Sequence, residues 1–493
     1  MLKKIGGVVA LVGMCALSLF LLNCGSSSSR PSGVVYVLTQ GINGGGDTVS
    51  SFGLDLDSGE LSLVNSNAAT CPAATQANPQ PCGAPLDIVL DPAGAAAFVL
   101  NQGIPCITQA NGQCVPTDSS PIAPSIYSYT VNSDGSLSSP GAAVNWTCVS
   151  PNGTACSSYY ADTAVLMARD DAGQFLFVID DGVYPYPASC PLIAAAVQSS
   201  QNAMDFTGCP SISVFSISGS SLTLVSQSST YQSPLYLSKI PTSLSAITFT
   251  PSTPANASPQ ELLFVSENYD LCTVSCLPPG STPNDNALSV YGVSSTGVLS
   301  EQPNSPYALA VSNPISVIAV NTTPAGQAAN GGVFAFVGSQ GSGTGAVNPF
   351  QLCTVANETD CSGAAAAENL VVPVLCPPAQ TCSVSAGQDP LAMAVDPTNN
   401  FLYVLAQSGA VFGFRINTTQ GTLAGLIPTN VPTGSQPVSM AIHPTVNNTG
   451  QYLYVSNSNS DSITGFALST TSGAMSSLPT VITPAAPSGI AVH

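Results

Sequence analysis

The feature that most limits how this chain can fold is a three-part signature that recurs seven times along it. The second part of each copy is an aromatic residue followed by valine, and these pairs begin at Tyr36, Phe98, Phe177, Phe264, Phe336, Tyr403 and Tyr454. A short apolar run, the first part, precedes six of the pairs but not the one at Tyr36. The missing seventh run is Pro487–Val492, at the C-terminus. A repeat whose missing part lies at the far end of the chain predicts a closed ring.

Each copy predicts four strands, which we letter a, b, c and d. Strand a is the apolar run and strand b contains the aromatic-valine pair. Strand c is an aliphatic-x-x-aromatic-x-aliphatic segment, and period-2 alternation supports all three assignments. A turn with glycine in its last position recurs between c and d, at Gly59, Gly135, Gly297, Gly421 and Gly473. The chain is therefore expected to be all-β: over residues 34–493 it forms a seven-bladed β-propeller of four-stranded antiparallel blades, and its C-terminal strand joins the N-terminal blade.

The N-terminus predicts export and a lipid anchor. Residues 1–23 have a basic start and an apolar stretch too short for a comfortable membrane span, as in a signal peptide. The Leu-Leu-Asn-Cys sequence that ends at Cys24 resembles a bacterial lipobox, which implies cleavage before Cys24 and acylation of its sulfur. The alternative is an ordinary signal peptide with a chance cysteine. Residues 24–33 form a tether, and Gly25 after the cysteine implies delivery to the outer membrane. A monomer anchored in the cell envelope is expected.

The charge of the chain excludes one class of partner. The formal charge is −19, and only 6% of the residues are charged. After cleavage, four basic residues stand against 25 acidic ones, which makes the charge −21. Such a surface repels phosphate backbones, so no nucleic-acid partner is expected. An anionic substrate is also repelled unless a local basic site holds it.

The cysteines predict disulfides. Fourteen remain besides Cys15 and Cys24, an even number in a chain that carries an export signal. They form close sequential pairs: Cys71 with Cys82, Cys106 with Cys114, Cys148 with Cys156, Cys190 with Cys209, Cys272 with Cys276, Cys353 with Cys361, and Cys376 with Cys382. Pairing within each insertion is the economical interpretation, although connectivity does not follow from sequence alone. Zinc is the competing interpretation for the pair at Cys272, but no histidine accompanies it.

Most of these pairs are expected on one face of the ring. In an antiparallel blade the d–a and b–c connections share one face, which we call the loop face, and the a–b and c–d connections share the opposite turn face. Three pairs fall in b–c connections and three, including Cys376 with Cys382, fall in d–a connections. Only the pair of Cys353 and Cys361 falls in a c–d connection. Long loops are uncommon unless functional, so the loop face is a candidate binding surface. Drift of insertions, protected by disulfides, is the alternative.

Arg169 is the most unusual ionisable residue of the repeat, because it occupies a position that is apolar in the other copies. It is expected either to pair with Asp170 or Asp171 or to form an anion site in the central channel. The two histidines, His443 and His493, stand at the a–b turn in positions equivalent to Asp170. A structural role is therefore expected for both.

A polar ring is expected where strand b ends. The seven blades present there Gln40, Gln102, Asp181, Asn268, Gln340, Gln407 and Ser458. Asp180 and Glu267 each precede a ring residue, in adjacent blades. With Asp181 they are candidate ligands for Ca²⁺ or another hard cation, and no other cofactor is expected. The alternative is that these side chains satisfy open backbone groups at a turn.

Three strings of the last two blades carry a family resemblance: Phe401-Leu-Tyr-Val404, Met440-Ala-Ile-His-Pro444 and Leu453-Tyr-Val-Ser-Asn457. With the Ser-x-Gly-x-Leu turns they resemble the seven-bladed lactonases, 6-phosphogluconolactonase-like and muconate-lactonizing, and the related YVTN-type surface repeats. The resemblance covers the mature chain and implies a propeller, and its enzymes act on anionic substrates through charged residues. No catalytic residue is carried over by motif.

Two functions of different classes follow. The favoured one is a scaffold that binds a protein, glycan or small molecule through the loop face. The alternative is a lactonase-type hydrolase, with Arg169, Asp170, Asp180, Asp181 and Glu267 as the only candidates for its polar centre. A hydrolase needs titratable groups that converge at one mouth of the channel, which separates the two.

Overall fold

The computed structural model describes residues 33–40, 47–70, 84–102, 107–108, 114–115, 124–145, 164–181, 210–225, 235–237, 239–250, 259–270, 286–302, 305–322, 332–341, 344–353, 370–376, 380–444, 451–484 and 486–493. The export signal and Cys24 lie outside these ranges, so the predictions for them stay predictions. None of the described residues forms a helix that could span a membrane.

Ten of the fourteen cysteines predicted to form disulfides also lie outside the described residues. They are Cys71, Cys82, Cys106, Cys148, Cys156, Cys190, Cys209, Cys272, Cys276 and Cys361. Four of the seven predicted pairs therefore have both members outside these ranges: Cys71 with Cys82, Cys148 with Cys156, Cys190 with Cys209, and Cys272 with Cys276. Their pairing, and the competing zinc interpretation for the last of them, stay predictions.

The described residues form seven antiparallel blades, and their strands are given in the order a, b, c, d. Blade 1 consists of Pro487–Val492, Gly33–Thr39, Thr48–Leu54 and Leu61–Ala69. Blade 2 consists of Pro85–Leu90, Ala96–Asn101, Ser125–Thr130 and Val144–Asn145. Blade 3 consists of Ala164–Arg169, Phe175–Asp180, Ser211–Ser218 and Ser221–Leu224 with Leu235–Tyr236.

Blade 4 consists of Lys239–Phe249, Gln260–Asp270, Asn286–Val293 and Leu299–Glu301 with Tyr307–Ala308. Blade 5 consists of Pro314–Asn321, Val333–Ser339, Ala346–Cys353 and Leu370–Pro373 with Val384–Ser385. Blade 6 consists of Pro390–Val395, Phe401–Ala406, Ala410–Ile416 and Leu423–Pro432. Blade 7 consists of Pro437–Ile442, Gln451–Asn457, Ser462–Leu468 and Met475–Ser477 with Val481–Ile482.

The ring closes as the repeat predicts. The C-terminal strand a of blade 1 pairs antiparallel with the N-terminal strand b, with Val35 opposite Val492. Val34 and His493 exchange two backbone hydrogen bonds, of 2.7 and 2.9 Å. Every strand a also contacts the strands a of both neighbouring blades. The chain is a seven-bladed β-propeller.

The hydrophobic core is divided among the seven interfaces between blades. Each of seven buried clusters combines side chains of two neighbouring blades, and together they account for all seven interfaces. The central strands b are buried along their length because both of their faces pack against a neighbouring blade. The aromatic-valine pairs supply much of this core, which explains why they recur.

A β-bulge near the start of strand a recurs around the ring. In blades 2–7 the register with strand b shifts by one residue there, for example between Pro85 and Asp87, and blade 1 is irregular at the same place. A bulge re-aims the side chains at the end of a strand. Since strand a is the innermost strand and starts at the loop face, these bulges shape the channel mouth on that face.

The outer strand d departs from the sequence prediction. In blades 3, 4, 5 and 7 it pairs with strand c in two separate pieces. In blade 5 the gap contains a hairpin of Leu375–Cys376 and Gln380–Thr381. Cys376 and Cys382 therefore lie within an interrupted strand d, and their assignment to a d–a connection was wrong. Proline is tolerated in an edge strand, which has no outer partner, and Pro373 ends the first piece.

Cys353 and Cys382 are each disulfide-bonded. Both side chains are buried in blade 5. The pairing scheme for the fourteen cysteines stays a prediction. A second hairpin, Ile107–Thr108 with Cys114–Val115, lies in the b–c connection of blade 2, where an insertion was expected.

Candidate functional site

Arg169 ends strand a of blade 3 on the turn face and is partly exposed. Its Nη1 donates to the backbone carbonyl oxygens of Asp170 at 2.9 Å and of Asp171 at 3.5 Å. The guanidinium therefore contacts the two residues named by the sequence, but through their main chain. An arginine held by carbonyl oxygens stabilises the turn, and its remaining N–H groups can donate to other acceptors.

Asp170 closes the a–b turn of blade 3. Its Oδ1 accepts a 2.8 Å hydrogen bond from the backbone N–H of Phe175, and its side chain is fully buried. Its Oδ2 is buried without a hydrogen-bond partner. In blade 6 the equivalent Asp396 uses both oxygens, because Thr398 donates to the second one. Blade 3 has Ala172 in place of that threonine, and burial raises the pKa of Asp170.

Glu261 joins Asp170 and Asp171 at the junction of blades 3 and 4. Its Oε1 is also buried without a hydrogen-bond partner. Burial, and then the charges of Asp170 and Asp171, raise the pKa of Glu261 to about 8. Asp171 accepts a 3.0 Å hydrogen bond from the N–H of Thr248 and thereby links the two blades. Sequence reasoning missed this cluster, because its members come from different repeats.

Asp180 and Glu267 lie on opposite sides of blade 3. Asp180 accepts a hydrogen bond from the hydroxyl of Ser211 and is 1% exposed. Side chains alternate along a strand, so Asp180 shares the face of Val178, which packs against blade 2. Glu267 shares the face of Val265, which packs against blade 3. The two carboxylates are therefore separated by strands and do not meet.

Glu267 belongs to a buried polar group within blade 4. It is 2% exposed, and its Oε2 accepts a 3.0 Å hydrogen bond from Ser289. Burial raises its pKa to about 7, opposed by the charge of Lys239 and the bond from Ser289 and reinforced by Glu301. The carboxyl group is therefore buried and hydrogen-bonded rather than open to a ligand.

The acids predicted to bind calcium gain no support from their positions. Asp181 follows strand b of blade 3 and is partly exposed, whereas Asp180 and Glu267 are buried in different interfaces. Among the described residues, no three His, Cys, Asp or Glu side chains are grouped as a metal site requires.

The histidines occupy the turn positions that the repeat predicts. His443 is 3% exposed, and its backbone N–H donates to the carbonyl of Tyr452 at 2.9 Å. The ring of His493 lies against the a–b turn of blade 2, with Nε2 3.3 Å from the carbonyl oxygen of Pro92. Both residues lie on the turn face, and the structural role expected for their imidazoles stays a prediction.

The bulges of the strands a, at their loop-face ends, carry no ionisable side chain. The residues at the seven bulges are all at least partly exposed: Leu86, Val165, Thr242, Ile315, Leu391, Val438 and Ser488. Five are aliphatic, two carry a hydroxyl group, and none is ionisable. A carboxylate follows in blade 2 alone, where Asp87 accepts hydrogen bonds from Met167 N–H of blade 3 at 3.1 Å and from Ile88 N–H. Burial raises the pKa of Asp87 to about 6.

The residues predicted to form the polar ring lie where strand b ends, and five of the seven join that end to the start of strand a in their own blade. The backbone N–H groups of Gln40, Gln102, Gln340, Gln407 and Ser458 each donate to a carbonyl just before a strand a. Between blades 4 and 5 the side chains form a relay, in which Asn268 donates to Asn313 at 2.6 Å and Asn313 donates to Gln340 at 2.5 Å. The bonds of the five N–H groups are made by the main chain, so the roles predicted for the side chains stay predictions.

A cavity of about 350 Å³ opens beside this relay, between blades 4 and 5. Its floor is strand c of blade 5, with Asn348 and Phe350. The segment from Ala308 to Ser312, which leads from blade 4 to blade 5, forms one wall, and Gln340 lies at its rim. Pro373 and Ser383, on either side of the gap in strand d, form the other wall. Sequence reasoning missed this cavity, because it depends on the interruption of strand d.

No model of a known protein family matches the chain, and no curated protein matches its sequence. Solved structures do match it. Its structural neighbours include a putative 6-phosphogluconolactonase. This protein, from Bacteroides uniformis, is 11% identical over 94% of this chain and 100% of its own, with a TM-score of 0.49.

Two further solved structures also match the chain. A protein from Lactobacillus plantarum is 15% identical over 94% of this chain and 99% of its own, with a TM-score of 0.49. The β-propeller domain of Cps50 (Swd1) from Myceliophteria thermophila is 9% identical over 82% and 88%, with a TM-score of 0.39. Such likenesses concern the fold alone, and function has to be argued from the site.

Proposed function

We propose that this protein is a lipid-anchored β-propeller of the bacterial cell envelope that binds a ligand or partner through its loop face. The export signal and the lipobox at Cys24 support the anchor, and Gly25 supports the outer membrane. The partner is a protein, a glycan or a small molecule, since the charge of −19 disfavours nucleic acid and other anions.

The observation that carries the proposal is the uncharged chemistry of the strand-a bulges on the loop face. The seven bulge residues there are aliphatic or carry a hydroxyl, while Asp180 and Glu267 are 1% and 2% exposed. A hydrolytic site needs titratable groups that converge where the substrate sits. A binding surface has no such need, and a largely aliphatic set of residues with a few polar groups is typical of one.

A lactone hydrolase remains the second candidate function. The partly exposed guanidinium of Arg169 and the unpartnered Oδ2 of Asp170 favour it, because they are adjacent residues and one of them is cationic. Against it, Arg169 lies on the turn face, and its Nη1 already contacts two backbone carbonyls.

Lactone hydrolysis by the mature chain, purified in detergent, tests the choice. Glucono-δ-lactone and 6-phosphogluconolactone would be followed by proton release, with Arg169→Ala compared with Arg415→Ala, the matched change of an arginine elsewhere in the ring. We expect no turnover above the spontaneous rate for any form. Turnover that Arg169→Ala abolishes and Arg415→Ala keeps would instead establish a hydrolase with its site on the turn face.

A further inference from the structure

The cavity between blades 4 and 5 has the chemistry of a small-molecule site. At about 350 Å³ it lies at the lower end of the range for such sites, which fits one compact ligand. None of the fourteen described residues that line it is ionisable.

The floor of the cavity is fixed by hydrogen bonds. Asn348 donates to the carbonyl of Val337 at 3.2 Å and to the hydroxyl of Ser339 at 2.8 Å. Its Oδ1 accepts from Ser383 at 2.6 Å, which ties the floor to the second piece of strand d. A polar group held in this way is pre-organised, so a ligand that contacts it loses little free energy to side-chain ordering.

Polar groups at the rim of the cavity are available to bind a ligand. Gln340 accepts from Asn313 through Oε1, while its Nε2 has no acceptor among the described residues. Thr344 is exposed, and its hydroxyl likewise has no partner within the described part of the chain. The remaining surface is supplied by Ala310, Phe350 and neighbouring apolar groups. Neutral donors and acceptors beside a carbon surface suit a ligand with hydroxyl groups and an apolar face.

A peptide strand fits less well than a hydroxylated ring. Strand c of blade 5 is covered at both ends by the two pieces of strand d. In the gap between them, Pro349 has no N–H, and its carbonyl already accepts from Val374 at 3.0 Å. The gap therefore offers no open backbone edge for strand addition.

We propose that this cavity binds one neutral saccharide unit, with Gln340 as a donor and Phe350 as part of the apolar surface. This inference rests on the proposed function of the loop face and adds the ligand class. The proposal also predicts a specificity against phosphorylated sugars. Such a ligand brings negative charge to a cavity whose described lining carries no cation, in a chain with a formal charge of −19.

Saturation-transfer NMR on the mature chain in detergent tests the proposal, with glucose, galactose, N-acetylglucosamine and glucose 6-phosphate at millimolar concentration. We expect transfer to at least one neutral sugar and none to glucose 6-phosphate. Ala310→Trp, at an exposed position of the lining, fills the cavity and should abolish the transfer. Ala424→Trp, at an exposed alanine of strand d in blade 6, is the matched control and should preserve it.

A second pair of variants keeps the test independent of cavity filling. Gln340→Leu removes the rim donor, and Gln407→Leu removes the glutamine at the equivalent position of blade 6. We expect about three- to tenfold weaker sugar binding in the first and no change in the second. Equal binding in both, transfer that survives Ala310→Trp, or transfer to none of the neutral sugars would each overturn the assignment. Those outcomes leave the proposed function standing, whereas lactone turnover dependent on Arg169 would refute it.

Discussion

At the scale of single residues, contacts between neighbouring blades explain why a turn glycine and an aromatic residue recur in the repeat. The glycine of the c–d turn has a positive φ, 75° at Gly59 and 73° at Gly473. It also lies against an aromatic ring of the preceding blade, Tyr452 for Gly59 and Phe401 for Gly473, where a Cβ atom would overlap the ring. Tyr454 donates to the carbonyl of Gly59 at 2.8 Å. The turn glycine thus serves both its own hairpin and the packing of the ring.

Gly473→Ala should destabilise the fold more than the turn conformation alone requires. Left-handed backbone costs an alanine about 1–2 kcal/mol, and overlap with the buried Phe401 ring adds to it, for a total of about 2–4 kcal/mol. Gly219→Ala is the control, since Gly219 has a φ of 59° but nothing within 4 Å of a Cβ atom. Midpoints of chemical denaturation measure both. Equal losses would show that the contact with Phe401 contributes nothing.

At the scale of strands, the sequence predicts the strands that show alternating hydrophobicity. It misses the features that depend on contacts with neighbouring strands or blades. The bounds of strand a in blade 1, Pro487–Val492, were predicted to the residue, because a proline opens the apolar run. The divided strand d was missed, since an edge strand tolerates proline and carries a weak pattern. Asp87 had a usable signal, as it occupies the position of Leu166, Ala392 and other uncharged residues. Glu261 had none, because its acidic neighbours belong to another blade.

The buried acids make stability depend on pH in a defined direction. The pKa of Glu261 is about 8 in the folded chain, against an ordinary value of 4.5, so between these values the folded state binds a proton that the unfolded state releases. The contribution of Glu261 to the free energy of unfolding is therefore full below about pH 4.5 and falls as the pH rises toward 8. Glu267 and Asp87 act in the same direction, up to about pH 7 and about pH 6.

Glu261→Gln should flatten the upper part of this pH dependence. Because the substitution removes the group with the highest of these pKa values, the loss of stability between about pH 7 and about 8 should shrink. Glu60→Gln, at an exposed glutamate, should leave the profile unchanged. Thermal unfolding across the pH series gives the answer, and a profile that rises with pH would contradict the assignment.

The disulfides of blade 5 can be assigned by peptide mapping of the unreduced protein. We expect Cys353 to be linked to Cys361 and Cys382 to Cys376, because each pair closes a short insertion. Cys353 and Cys382 are both disulfide-bonded, so a link between these two is the alternative that the mapping distinguishes. A peptide containing both would refute local pairing for this blade.

At the scale of the whole molecule, seven similar interfaces join the blades, and the ring is closed within blade 1. Seven core clusters hold seven blades, and strand b of blade 1 is paired on both sides, with Thr48–Leu54 and with the C-terminal strand. Blade 1 therefore joins the beginning and the end of the propeller. The tether predicted for residues 24–33 leads directly into this strand.

Cys24→Ser should release the protein from the membrane without changing its fold. The substitution removes the sulfur that is predicted to carry lipid, so a fatty-acid label should disappear and the protein should leave the membrane fraction. Cys15→Ser, within the predicted signal, is the control and should keep both. A membrane-bound, labelled Cys24→Ser protein would rule out lipidation at this residue.

The path of strand b has a consequence for orientation. Gly33 begins the strand on the turn face, beside His493, and the strand runs from there toward the loop face. An anchor at Cys24 would attach the propeller to the membrane by its turn face. The connecting segment of ten residues can span at most about 35 Å. The opposite face, with the cavity between blades 4 and 5, would then point away from the bilayer and stay accessible to molecules that approach the membrane surface.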